Sequence, residues 1–262
     1  MVFSLNHPLK KLTSFKQAGL LKQLYEFQDL ETLQHILPLL PQYHILGAGS
    51  NILFNPSTPA KPIIKLSPAF GLSKQLDATT MSLPGGLSIQ QALRILGKHQ
   101  LSGLEFGAGV PASIGGMTAM NFGCWGYEIS DWIKSVHIMY PNGKTQWLSK
   151  KACHFGYRSS NILNEKWLVL EVAFCLKPTQ TETYQKNLKA FLKRRQDSQP
   201  LELCSFGSIF KNPFPLKAGK ILEDCDAKLL QKGHISISNK HANFLINNNP
   251  GEGSFEDAMS II

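Results

Sequence analysis

The 262-residue sequence predicts an α+β fold. Apolar runs of strand length and amphipathic stretches of helix length both occur, yet they do not alternate strictly, as a doubly wound parallel sheet would demand. At least one pair of strands is joined by a tight hairpin instead of a helical crossover. No internal repeat or low-complexity tract interrupts the pattern.

Taken in chain order, His44-Ile45-Leu46, the turn Gly47-Ala48-Gly49-Ser50-Asn51 and Ile52-Leu53-Phe54 predict strand, turn and strand. Residues 88–100 predict a helix, because Ser88 can cap it and Ile89, Ala92, Leu93 and Leu96 share one face. Residues 135–140 and 145–148 flank Pro141-Asn142-Gly143-Lys144, a turn signal that predicts a hairpin. The apolar run 168–174 predicts a mostly buried strand. A polar, proline-containing stretch at 177–181 suggests a boundary, so domains are expected at 1–176 and 177–262. Residues 184–196 then predict a helix with Leu188, Phe191 and Leu192 on one face, and 242–246 a further strand. Ser254-Phe255-Glu256-Asp257 reads as a capping box opening a last helix, too short to stand without tertiary packing.

Composition narrows the function classes. Apolar residues at 43% and charged residues at 17% are ordinary for a soluble protein. No apolar run reaches the roughly 18 residues of a membrane span, and the first residues lack a secretory stretch, so a cytoplasmic chain is expected. Five cysteines lie more than twenty positions apart without a Cys-x-x-Cys pair. Reduced thiols, mostly filling apolar space, are expected, and no metal site. A formal charge of +9 favours anionic ligands. Lys193-Arg194-Arg195 is the single dense basic run, which points away from nucleic acid; charge alone otherwise favours a solvated basic exterior, with phosphorylated small molecules as the functional reading.

Three glycine-bearing segments stand out. The turn 47–51 either reverses the chain or offers backbone N–H groups as a nest for phosphate. The long segment 103–126 fits a dinucleotide fingerprint loosely at Gly107, Gly109 and Ala112. Its glycines continue where a Rossmann helix should run, so that fold is rejected. Glycines with Asn121 suggest backbone laid against a large planar or diphosphate ligand. Third, Gly207-Ser208-Ile209-Phe210-Lys211-Asn212-Pro213 holds a hydroxyl, an ammonium and an amide, a set that a structural loop can equally contain.

In this order the segments resemble the UDP-N-acetylenolpyruvoylglucosamine reductase (MurB) family. The resemblance runs from Leu12-Thr13-Ser14-Phe15 to about Asp257 and includes Leu46–Asn51, Gly103–Gly126, Phe155–Ser160, Arg194–Pro200, Gly207–Pro213, Ala218–Glu223 and Lys240–Asn247. Arg158 and Ser208 lie 50 positions apart, which resembles the subtype without an extra substrate-covering loop. The resemblance implies an FAD-binding module of the vanillyl-alcohol-oxidase (PCMH) type, in two α+β lobes, followed by a smaller α+β substrate-binding domain.

It also implies a reaction in which hydride passes from NADPH through FAD to the enolpyruvyl group of a UDP-sugar. Arg158 matches the family's catalytic arginine, a planar permanent charge suited to a carboxylate, and Ser208 matches the proton donor. Gly47, Ala48, Gly49, Ser50 and Asn51, with Gly109, Val110, Pro111, Ser113, Gly115, Gly116, Asn121 and Gly123, are expected to line FAD. Tyr157, Lys211, Asn212 and His241 are expected on the substrate side. A monomer is expected. Cys225-Asp226-Ala227 stands where the family has a glycine-lysine-glycine turn. The family's catalytic glutamate follows in a segment beyond Ile262, so a catalytically impaired FAD- or nucleotide-binding homologue is the alternative. A different flavin oxidoreductase is a weaker rival, since it has no need of the Arg158 and Ser208 pair.

Overall fold

The computed structural model describes residues 1–40, 42–56 and 61–262. The chain folds into two compact units, each assembled from separated stretches of sequence. The first comprises Met1–Ser4, Leu24–Gly47 and Lys61–Lys193, and the second Leu5–Gln23, Ala48–Ala60 and Arg194–Ile262.

Two cores organise the first unit. Around one, strands Leu24–Phe27 (the end of strand Leu20–Phe27) and His44–Ile45 run parallel to Ile63–Leu66 on either side of it. Helix α1, Leu30–Ile36, starts at Asp29, whose carboxylate accepts the Thr32 N–H at 2.7 Å. That bond holds the Asp29 carboxyl below the usual range. Phe27, Leu33, Leu37, Ile64, Leu66, Met139 and Leu170 close this core.

The other core lies under a five-stranded antiparallel sheet ordered Thr145–Ser149, Ile133–Met139, Leu168–Cys175, Thr80–Pro84, Lys74–Gln75. The expected hairpin is there, with Gly143 at a left-handed φ of +81°. Val136, Ile138, Val172, Phe174, Met81 and Leu83 form the buried face. Helix α2, Ile89–Lys98, packs on it through Ile89, Ala92, Leu93 and Leu96, and Ser88 with Gln91 completes its capping box. Helix α3, Ile114–Ala119, is capped by Ser113, and α4, Asn161–Asn164, by Ser160.

Helix α5 spans Thr181–Ser198, longer than expected at both ends. The polar stretch before it is paired: Lys177–Pro178 bonds with Leu101–Ser102 as a short ladder. Tyr184 anchors α5. Its ring fits against Gly97, where a Cβ would lie 2.8 Å from the ring, and its hydroxyl donates to Leu93 O at 2.6 Å. Burial pushes the Tyr184 phenol well above its ordinary pKa.

The second unit is built on an antiparallel sheet ordered Cys204–Ser208, Phe244–Asn247, Ile235–Ile237, Gln231–Lys232. Helices α6, Ala218–Asp224, and α7, Phe255–Ile261, belong to it. Phe15, Phe206, Ile235, Ile237, Leu245 and Ala258 form its core, with Leu222 and Ile261 against it. Tertiary packing therefore does hold the short last helix, which Ser254 caps by accepting the Asp257 N–H.

Two expectations need correction. Residues 52–54 are irregular, not a strand. The Gln17 amide takes both backbone groups of Phe54, donating to its O at 2.6 Å and accepting its N–H at 2.9 Å, and so replaces a strand partner. Of the five cysteines only Cys153 is fully buried, its thiol pushed up to about 11 by burial, while Cys175 and Cys225 are exposed.

Tyr184→Phe removes the buried hydroxyl bond to Leu93 O, a carbonyl that keeps its place in helix α2. It is expected to lower the unfolding free energy by about 1–2 kcal/mol, read as a reduced urea midpoint at unchanged slope.

Candidate active site

In the first unit the glycine-rich segment folds as a chain of braced turns. Gly115 N–H donates to Gly85 O at 2.8 Å, Ile114 N–H to Leu87 O, and Gly116 N–H to Ser113 Oγ. A Cβ on Gly47 would lie 2.7 Å from Ser113 Oγ, so that glycine permits the close approach of the two segments. Several glycines of 107–116 thus serve protein packing: Gly107 is closed over by Ile89 and Met117.

Past α3 the backbone turns on Asn121, fully buried and left-handed at φ +42°. Both hydrogens of its amide are engaged, one with Glu128 Oε2 at 2.8 Å and one with Gly156 O at 2.9 Å, and its Oδ1 accepts the Ser130 N–H. Arg158 closes the same knot. Its Nη1 donates to Asn121 O at 3.3 Å, its Nη2 donates to Gly123 O, and Glu128 Oε1 stands 4.0 Å away. The guanidinium also lies 4.9 Å over the ring of Tyr157, which is exposed. Asn121, Gly123, Tyr157 and Arg158, named separately from sequence, are one cluster, and Glu128 is a member that sequence reading missed. No spacing rule ties Glu128 to Arg158; the contact exists only after both loops have folded.

In the second unit Ser208 ends an edge strand and is exposed. The pairing with Phe244–Asn247 shifts register between Ser205 and Ser208, and Gly207 is left-handed at φ +78°. Beyond the serine, Asn243 takes both backbone groups of Phe210, accepting its N–H and donating to its O at 2.9 Å each. Asn212 Oδ1 accepts the Ala218 N–H at 3.0 Å at the start of α6, and Lys211 is exposed. His241 Nδ1 accepts the Asn243 N–H at 3.2 Å, which puts the ring proton on Nε2. The ring rests on Gly219, where a Cβ would meet it at 2.8 Å, and tilts against Phe244. Asn243 is a second residue that sequence reading did not single out, although its motif was visible. Asp226, the middle residue of Cys225-Asp226-Ala227, is left-handed at φ +55°, a conformation that a short polar side chain tolerates better than most.

The turn 47–51 has the chemistry of an anion site. Among the described residues no acceptor is bonded to the backbone N–H groups of Gly47, Ala48, Gly49, Ser50 or Asn51. Gly49 is left-handed at φ +67°, and a Cβ there would fall 2.0 Å from Leu12 O, so only glycine fits.

Comparison with known proteins adds the decisive observation. Residues 199–262 match the family described as UDP-N-acetylenolpyruvoylglucosamine reductase, C-terminal domain, and residues 24–149 match that described as FAD binding domain. A UDP-N-acetylenolpyruvoylglucosamine reductase of Caldanaerobacter subterraneus is 31% identical, over 98% of this chain and 85% of its own length. The Bacillus subtilis enzyme of that name is also 31% identical, over 98% and 86%. The chain belongs to the UDP-N-acetylenolpyruvoylglucosamine reductase family. The crystal structure of the Thermus caldophilus reductase superposes with a TM-score of 0.84 at 26% identity, covering 99% of this chain and 92% of that one. The α+β architecture is accordingly that of a PCMH-type FAD-binding module with a smaller domain. No helix among the described residues is long and apolar enough to cross a membrane. Among them, no group of three or more His, Cys, Asp or Glu could hold a metal ion.

Burial lowers the pKa of His241, and likewise of His44 and His137. Unfolded, each takes up a proton near pH 6.5; folded, each does so only at lower pH. The unfolded chain therefore binds more protons below 6.5, and stability that is complete above that pH is lost as pH falls. Urea unfolding across pH 7.5 to 5 should show this decline, and His241→Gln should flatten part of it.

Proposed function

We propose that this chain reduces UDP-N-acetylenolpyruvoylglucosamine to UDP-N-acetylmuramate with NADPH and FAD, a step of peptidoglycan precursor synthesis. The observation that carries the reading is family membership across nearly the whole chain, and the order of the motifs that hold Arg158 and Ser208 supports it. Residues 1–176 act as the flavin module and 177–262 as the substrate module. The 50-position spacing of Arg158 and Ser208 supports the subtype without the extra loop. A cytoplasmic monomer fits the ordinary soluble composition.

The residues present fit FAD. Five consecutive N–H groups at 47–51 without an acceptor among the described residues suit a diphosphate, which binds through backbone donors. Gly109, Val110, Pro111, Ser113, Gly115, Gly116, Asn121 and Gly123 complete the lining we propose. When bound, FAD supplies hydride drawn from NADPH. The protein's own share is charge, orientation and a proton. Hydride arriving at the enolpyruvyl methylene carbon leaves negative charge on the neighbouring carbon and its carboxylate. Arg158, oriented by the Asn121 and Gly123 carbonyls, stabilises that charge through a fixed planar fork. Ser208 Oγ then delivers the proton to that carbon; a hydroxyl suffices because the acceptor is a strong base. Lys211, Asn212, Tyr157 and His241 hold the nucleotide sugar, His241 as a neutral donor through Nε2.

Purified protein should be yellow or become so on reconstitution with FAD, and NADPH oxidation should depend on the UDP-sugar. Ser208→Ala should slow reduction of the UDP-sugar by about a hundredfold or more, while NADPH still bleaches the flavin. A protein that cannot take up FAD, or one whose two half-reactions suffer equally from the substitution, contradicts this assignment.

A further inference from the structure

We infer that Asn51 is a positioning residue for Ser208, coupling the loop that would receive the FAD diphosphate to the turn that carries the proton donor. The inference rests on the function proposed above and adds to it a link between cofactor occupancy and the geometry of the serine. Every contact it uses lies within the second unit.

The Asn51 amide nitrogen donates to Phe206 O at 2.8 Å and reaches Ser208 O at 3.4 Å, bracketing Gly207. It does so where the sheet offers least, because pairing with Phe244–Asn247 is interrupted between Ser205 and Ser208. A Cβ on Gly207 would sit 3.5 Å from Asn51 Nδ2 and 3.7 Å from Ser50 O, so the two turns already touch. A second brace runs through Ser14. Its N–H donates to Gly49 O at 3.1 Å and its Oγ to Ser205 O at 2.6 Å.

The loop 48–51 is thus tied to both ends of the Ser205–Ser208 turn, while its own N–H groups have no acceptor among the described residues. An anion bound to those N–H groups restricts the loop, and the restriction passes to Ser208 through the Asn51 amide. Ordering shared in this way is a coupling free energy, so it must appear at both ends. Asn51 has two tasks in this account: its backbone faces the cofactor and its side chain sets the serine.

Hydrogen exchange across residues 204–210, with and without FAD, tests the link. FAD should slow exchange there about tenfold in the unaltered chain. Asn51→Ala should exchange about tenfold faster without FAD, and should gain no protection when absorbance shows FAD bound. Asn51→Gln, which keeps the donor on a longer stem, should recover part of the protection. Asn51→Ala exchanging as slowly as the unaltered chain in both states would overturn the inference. A second arm uses rates: Asn51→Ala should slow UDP-sugar reduction about tenfold, but less than about twofold once Ser208 is already alanine. Equal slowing in both backgrounds means that Asn51 acts elsewhere, against the inference. Should the unaltered chain take up no FAD, the proposed function fails on its own, and the cofactor-free exchange comparison still decides whether Asn51 holds the turn.

Discussion

The side-chain amide of Asn121 meets Glu128, the Gly156 carbonyl and the Ser130 N–H, and the residue's own carbonyl receives Arg158. The segment 121–130, which contains only the short ladder Gly123–Cys124 with Tyr127–Glu128, is thereby held to the loop 156–158 without the two sharing a sheet. Backbone polar groups buried in loops must find partners, and a strand ladder would satisfy them only by flattening the loop. The same solution recurs. Asn243 bonds both groups of Phe210, Gln17 both groups of Phe54, and Asn247 the carbonyls of Phe15 and Lys16. An amide offers donor and acceptor side by side, as a strand does, yet commits one residue and not a run of them. Irregular backbone can then carry function on a fixed frame.

Left-handed residues mark where those loops bend most. Asn121, Trp125, His154 and Arg158 all have φ between +42° and +56° within the first unit. Such conformations persist only where surrounding bonds over-determine them. Around Arg158 those bonds are visible: two carbonyls hold its guanidinium, and Gly156 and Ser159 bridge its loop. The backbone strain and the side-chain anchoring are two sides of one arrangement, since the turn is what aims the guanidinium back at Asn121 and Gly123.

Elements with strong local signals were legible in the sequence. Helix α2 announced itself through Ser88 and four apolar positions on one face, and the 135–148 hairpin through Pro141-Asn142-Gly143. Strand Val2–Pro8 was not, because it is largely exposed and lacks alternation. Strand Cys204–Ser208 was hidden by the register shift inside it. Residues 52–54 looked like a strand because their composition is strand-like, and only the Gln17 side chain, 37 positions away from Phe54, overrides it. At the proposed site, order of motifs pointed to Arg158 and Ser208, but Glu128 and Asn243 make contacts that no local pattern encodes.

Ser208 shows how a small irregularity decides accessibility. In a regular strand residues two apart face the same side. Phe206 is 6% exposed and points into the core of the second unit, so an undisturbed strand would carry Ser208 inward with it. Instead Gly207, at φ +78°, turns the chain between them and the serine emerges at the surface. A side chain at 207 would be strained by that φ, and one at 206 too small would loosen the wedge beside Phe15, whose ring meets Phe206 edge-on at 5.0 Å. The bulge frees the hydroxyl, but it also removes the ladder bonds that would have fixed it. Asn51, a member of the proposed diphosphate nest, and Ser14, whose N–H donates to Gly49 O within it, supply bonds at that place. Exposure of the serine and its dependence on neighbouring loops therefore have one origin, the break in pairing at Gly207.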